Sequence, residues 1–173
     1  MIYDLGEHKV TIKDDNFFIA PNSAVIGKVS LGSNISIWFN VVIRADNDEI
    51  TIGDGCNIQD NSVLHVDEGS PVRLGDNISI GHSATIHGCK IGSDTLIGMG
   101  TTILSNASIG NNCLVGANSL ITENKIFPDN SLIVGAPAKI IRKISEEELE
   151  HIKWNAKNYI ARSKFYKKNL INK

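Results

Sequence analysis

An aliphatic residue returns every six positions through most of this chain. The series opens at Ile19, Val25, Leu31, Ile37 and Ile43, resumes after a three-residue insertion as Ile52, Ile58 and Leu64, and after a longer insertion as Leu74, Ile80 and Ile86. One residue is then deleted, and the register runs unbroken through Ile91, Ile97, Ile103, Ile109, Val115, Ile121, Phe127 and Ile133. Nineteen positions without a polar exception are not a chance run when 42% of residues are hydrophobic. A period of six fits neither the 3.6 of an α-helix nor a heptad, which sets aside a helical fold. It fits a short strand followed by a bend, repeated as a solenoid.

The position after the aliphatic is often glycine, as at Gly32, Gly53, Gly75, Gly81, Gly92, Gly98, Gly110 and Gly116. Glycine suits a corner that needs φ > 0 or a close backbone approach. Four positions after the aliphatic sits a small or branched residue: Val41, Cys56, Ser62, Ala84, Thr95, Thr101, Ala107, Cys113 or Ser119. These form a second inward ladder, so Cys56 and Cys113 are core filler rather than ligands or nucleophiles. Cys89 lies beside the histidines discussed below, and its role stays open.

Gly135-Ala136-Pro137 stops the repeat, and Ser145-Glu146-Glu147-Glu148 reads as a capping box opening a helix. Leu149, Ile152, Ala156, Tyr159 and Ile160 give that helix an apolar stripe, to pack back along the coil or on a neighbouring subunit. His151 and Trp154 on the same helix suit packing or surface roles. The expected organisation is one domain, with a β-helix and its lead-in over 1–138 and a helical segment over 139–173.

The 173 residues suffice to bury a core without staples, and an aromatic content of 6% makes that core one of small and branched aliphatics. The 17 basic and 19 acidic residues are scattered, with no basic stripe to track a phosphate backbone, so nucleic acid is not an expected partner. No run approaches the length of a bilayer span, and the N-terminus lacks a signal-like pattern; a soluble, cytoplasmic protein is expected. Three cysteines without a C-x-x-C pair make no disulfide framework.

With three hexads per turn and turns stacked at roughly 4.8 Å, residues eighteen aligned positions apart share a column. Arg44, His65 and His87 each follow the aliphatic of one such column and point outward together. His82 belongs to a different face, above Asp60. A trimer about an axis parallel to the coil would let one subunit's His82 complete a site begun by a neighbour's His65 and His87. Taken singly, each histidine reads as a surface residue. Together, three of the five histidines fall between positions 65 and 87, near Arg44, Asp46, Gln59 and Asp60. Three neutral nitrogen donors with an open fourth position are the ligand set of a hydrolytic or hydrating zinc site.

The segments Ser36–Asp46, Asn57–His65 and Gly81–Gly88, carrying Arg44-x-Asp46, Gln59-Asp60 and His65…His82-x₄-His87, resemble the γ-class carbonic anhydrases and their bacterial homologues. The resemblance runs from about Ile19 through the helix. It implies a left-handed parallel β-helix with a C-terminal α-helix, although parallel crossovers are normally right-handed. It also implies a homotrimer with a metal at each subunit interface, held by His65 and His87 of one chain and His82 of the next. The family's metal is zinc, with iron or cobalt accepted. Arg44 and Asp60 resemble the family's intersubunit ion pair, Asp46 belongs to the same network, and Gln59 matches the side chain that orients the metal-bound hydroxide. Glu68, three residues past His65, stands where the best-studied prototype has its proton-shuttle glutamate. Asn47 departs from that prototype, which has a glutamate there, and the loop Val66–Pro71 is shorter.

The expected activity is therefore reversible hydration of carbon dioxide to bicarbonate. The first alternative is a hexapeptide-type acyl-CoA transferase or thioesterase, although such transferases commonly use one histidine without two more in register. The second is a catalytically silent metal-binding homologue.

Overall fold

The computed structural model describes residues 1–171 and is a parallel β-solenoid of about seven turns with one C-terminal helix, as the repeat predicts. Strands from successive turns pair in parallel, and the pairing preserves the hexad register: Ile80 lies on Ile58 and Ile97, and Ile86 on Leu64 and Ile103. One face is an eight-stranded sheet; the other two share a twelve-stranded ladder because the long strand Val42–Ile52 bends around a corner between them. Of the aliphatic series, every member after Ile19 is buried, and Ile19 is half-buried.

The second ladder is buried as well, from Val41 to Ser119. Its hydroxyls are satisfied by carbonyls of the wall: Ser62 Oγ donates to Gly81 O at 3.0 Å and Thr95 Oγ1 to Gly110 O at 3.1 Å. This is how polar atoms enter so narrow an interior without the cost of an unmade hydrogen bond.

The corners are divided between two residue types. Glycine after the aliphatic provides close approach: a Cβ on Gly98 would stand 2.5 Å from the backbone nitrogen of Ala117 in the next turn. The positive φ falls elsewhere, three residues after the aliphatic, and asparagine supplies most of it. Eleven non-glycine residues have φ between 52 and 63°, among them Asn40, Asn61, Asn106, Asn112, Asn118, Asn124 and Asn130. Asparagine tolerates the left-handed region because its short amide bonds locally. Asn22 Nδ2 donates to Asn40 Oδ1 at 2.6 Å and Asn40 Nδ2 to Asn61 Oδ1 at 3.1 Å, so these amides also link turns.

Both insertions leave the coil at the same corner. Val29 pairs with Ile50 directly after Gly27 pairs with Ala45, so residues 46–49 bulge outward. One turn on, the loop 66–71 does the same, closed by Ser70 N–H donating to Asp67 O at 3.0 Å.

The stretch after Pro137, expected to begin the helical segment, first forms a strand. The bend at 136–137 reverses the chain, and Ala138–Lys143 pairs antiparallel with Ser131–Gly135 at the end of the coil. The helix follows over Glu146–Asn169 with the expected capping box: Ser145 Oγ accepts from Glu148 N–H, and Glu148 Oε2 accepts from Ser145 N–H at 2.7 Å. Arg142 adds two bonds of 2.7 Å to the Glu148 carboxylate. Ile152, Ala156 and Ser163 are buried where the helix crosses the eight-stranded sheet. Tyr159 and Tyr166 meet Trp38 edge-on at 5.5 and 5.0 Å, and Phe18 completes that cluster. The helix thus covers one face and leaves the histidine column uncovered. Trp154 and His151 stack on each other at its exposed side.

Candidate metal centre

Arg44, His65 and His87 occupy the outward column predicted for them, His65 being paired in register with both of the others. Parallel pairing brings the two imidazoles together: His65 Nδ1 lies 3.0 Å from His87 Nε2. The first bulge delivers Asp46, whose Oδ1 accepts from His65 Nε2 at 3.0 Å while Oδ2 is paired with Arg44. Burial works against ionisation of Asp46. Hydrogen bonds from its own backbone, His65 and Arg44, with the Arg44 charge, outweigh it and hold the carboxyl below its usual range.

An ionised Asp46 fixes the His65 tautomer, since an acceptor at 3.0 Å requires the proton on Nε2 and leaves the lone pair on Nδ1. His87 Nδ1 is 3.0 Å from Ser105 Oγ, a hydroxyl that can donate or accept. Two arrangements follow. Without an ion, Ser105 donates to His87, which donates through Nε2 to His65. With an ion bound, the His87 proton would sit on Nδ1 facing Ser105, and both inner nitrogens would present lone pairs to the metal.

The donor set fits a zinc-type ion. Ligand nitrogens at about 2.0–2.1 Å from a tetrahedral centre lie roughly 3.3 Å apart, close to the observed 3.0 Å. Asp67, in the second bulge, joins them: one ligand atom each from His65, Asp67 and His87 lie within 4.8 Å of one another, and Asp67 Oδ1 is 3.8 Å from His87 Nε2. Sequence reasoning passed over Asp67 and Ser105. Asp67 was visible as an acid two residues past His65 inside an insertion; Ser105 sits beyond His87 on the following turn.

The other candidates are placed elsewhere in the single chain. His82 is on the corner after the eight-stranded sheet, with Nδ1 3.0 Å from Asp60 Oδ2, and is not in the His65 group. Asp60 also accepts from the Phe39 backbone N–H at 3.3 Å, so within one chain it pairs with His82 rather than with Arg44. Gln59 is buried and donates to Asn57 Oδ1 at 3.0 Å, in a polar cluster where Asn155 of the helix bonds Ser79. Glu68 is exposed in the loop. Cys89, though adjacent to His87 and Gly88, turns inward and is buried; burial pushes its thiol up to about 12, and that of Cys56 to the same value. No helix is long and apolar enough to cross a membrane among the described residues.

A coil of six-residue repeats with polar columns at its corners is the architecture of the hexapeptide-repeat proteins. The family described as Bacterial transferase hexapeptide (six repeats) matches residues 88–123. A probable carbonic anhydrase of Methanocaldococcus jannaschii is 51% identical over 148 residues, covering 86% of this chain and 93% of that one. γ Carbonic anhydrase 2, mitochondrial, of Arabidopsis thaliana is 40% identical over 158 residues; the match covers 88% of this chain and 57% of that longer protein. Among solved structures, a putative acetyltransferase of Bacillus cereus superposes with a TM-score of 0.93 at 38% identity, covering 96% of each chain. The chain belongs to the γ-class carbonic anhydrase-like family.

Proposed function

We propose that this protein is a metal-dependent carbonic anhydrase-like enzyme, interconverting carbon dioxide and bicarbonate at sites shared between the subunits of a homotrimer. The observation that carries this reading is that each of the three histidines already has an orienting partner: His65 has Asp46, His87 has Ser105 and His82 has Asp60, all at 3.0 Å. Such outer partners are the signature of metal-ligating histidine, fixing ring and tautomer. Surface histidines have no need of three of them.

His82 of a neighbouring subunit would join His65 and His87. Exposed Val63 and Met99, beside the two histidine corners, give a neighbour apolar surface to cover. A zinc, iron or cobalt ion held there supplies Lewis acidity, allowing water to ionise near neutral pH and attack carbon dioxide. Asp46 holds the lone pair of His65 inward, Asp60 does the same for His82, and Ser105 is placed to accept from His87 Nδ1 when the inner nitrogen of His87 binds an ion. Arg44 neutralises Asp46 and is available at the interface to reach Asp60 of another subunit. Gln59 has one amide hydrogen left to orient the attacking oxygen. Glu68, exposed to solvent, passes the released proton to buffer.

The test is elemental analysis of anaerobically purified protein followed by stopped-flow carbon dioxide hydration on the same sample. About one ion per chain, with turnover lost in His65→Ala, supports the reading. Metal without turnover would favour the silent binding homologue.

One observation favours a second reading. Beside Gly88, a groove of about 480 Å³ is lined by Pro71, Arg73, Lys90, Asn106 and Ile126. Its cations, Lys90 and an Arg73 that is paired with Glu49, suit the phosphates of an acyl-CoA, the cofactor class of a transferase or thioesterase. Metal-free protein that binds acetyl-CoA would move the assignment there.

A further inference from the structure

The second insertion does more than interrupt the repeat. From Leu64 to Leu74 the register gains four residues, and the resulting loop is held at both ends: Val66 and Ser70 are buried, and Gly69 turns the chain with φ +74°. From the preceding turn, Asn47 Nδ2 donates to Val66 O at 3.3 Å. From the following turns, Ser70 Oγ donates to Asn106 Oδ1 at 3.2 Å, and Gly88 lies so close to Ser70 that a Cβ there would stand 2.9 Å from Ser70 Cβ. Asp67 is thus presented from a braced turn.

The two carboxylates near the imidazoles differ in what they are free to do. Asp46 is engaged by Arg44 and by the outer nitrogen of His65, so it orients. Asp67 has His87 as its one ionic neighbour among the described residues, with Oδ1 3.8 Å from the inner nitrogen of that ring, and belongs to the 4.8 Å cluster with His65. Two imidazoles and one carboxylate make a three-donor set with open positions, suited to zinc or to ferrous iron. A carboxylate also adds the negative charge that two neutral rings lack, which favours capture of a divalent cation from water.

We propose that His65, Asp67 and His87 form a capture site within one chain, so that the ion is bound before subunits associate and before a neighbour supplies His82. The inference rests on the shared-site reading above and deepens it. Asp67 is the third donor in the single chain, and His82 strengthens a site that is already loaded. Assembly then buries a metal-bearing edge rather than an empty one.

The test is competitive titration with Zn²⁺ and Co²⁺ against a chromogenic chelator, with elemental analysis, for the wild type, His82→Ala, His65→Ala and the double variant His82→Ala/Asp67→Asn. Far-UV circular dichroism checks that each is folded. His82→Ala is expected to keep about one ion per chain at reduced affinity. Adding Asp67→Asn should weaken that residual binding by a further factor on the order of tenfold or more. In His82→Ala, the Co²⁺ absorption bands should change when Asp67 is replaced. If the wild type binds and His82→Ala loses the ion as completely as His65→Ala, the capture site is refuted and the shared site survives. The capture site is equally refuted if the double variant matches His82→Ala in affinity and spectrum. A wild type without metal would overturn the shared-site reading itself.

Discussion

Asp46→Asn isolates the orienting role of a residue that touches no metal in the proposed site. The substitution keeps size and shape but removes the charge that fixes His65. Arg44, left without its carboxylate, claims the amide oxygen, and the amide then offers N–H where His65 Nε2 now donates to Oδ1 at 3.0 Å. Relief comes from moving the His65 proton to Nδ1, which faces His87 and the proposed ion position. Loss of an outer partner costs about 10–100-fold in metal affinity, or about 1.4–2.8 kcal/mol at 1.4 kcal/mol per tenfold. The upper end applies here, because the lost bond is charge-assisted and the tautomer is inverted. Ser105→Ala removes a neutral partner at the same distance, and charge-assisted bonds are roughly twice as strong, so about tenfold is expected there. Zinc affinity measured by chelator competition at neutral pH should therefore rank wild type, Ser105→Ala, Asp46→Asn in falling order. Wild-type affinity in Asp46→Asn, or a larger loss in Ser105→Ala, would refute the tautomer argument.

Asn118 has φ 57°, so Asn118→Ala should cost about 1 kcal/mol in urea denaturation, while Asn118→Gly stays within a few tenths; equal stability of the two would count against a conformational role. Glu148 is held down to about 2, first by the bonds from Arg142 and then by the Ser145 backbone, against an ordinary value of 4.5. A depressed acid contributes stability above its unfolded value and loses it as pH falls, so far-UV melts should show Glu148→Gln flattening the loss between 4.5 and about 2. The Cys56 and Cys89 thiols, pushed up to about 12 by burial, should resist an aromatic disulfide reagent until denaturant is added; fast labelling of the native protein would contradict their inward placement.

The period-six aliphatic series made the solenoid legible, because a thin coil has only one inside and each hexad must fill it. The column of Arg44, His65 and His87 followed by counting, since in-register stacking converts spacing directly into proximity. The left-handed asparagines were also periodic in the sequence, three residues past nine of the aliphatics, but their role went to glycine because glycine is the commoner route to positive φ. The antiparallel strand Ala138–Lys143 was less visible: it falls after the repeat ends, and its pairing depends on the end of the coil being open. Asp67 and Ser105 could not be placed by counting, the first because insertions leave the lattice and the second because its part depends on a side-chain bond to His87. His82 stood apart from the other two in the sequence columns and stands apart in the single chain.

The antiparallel hairpin at the end of the coil has a meaning beyond local pairing. A solenoid is an open-ended ladder, and a bare terminal turn would offer its strand edges to another molecule, stacking chain upon chain into a fibre. Ser131–Gly135 is instead met by a strand of opposite direction that cannot extend the parallel ladder. Lys139 and Lys143 place positive charge along that outer strand, beyond Arg142, whose charge is paired with Glu148, so two such ends brought together would repel. The last strand before the helix acts as a stopper at that end of the coil.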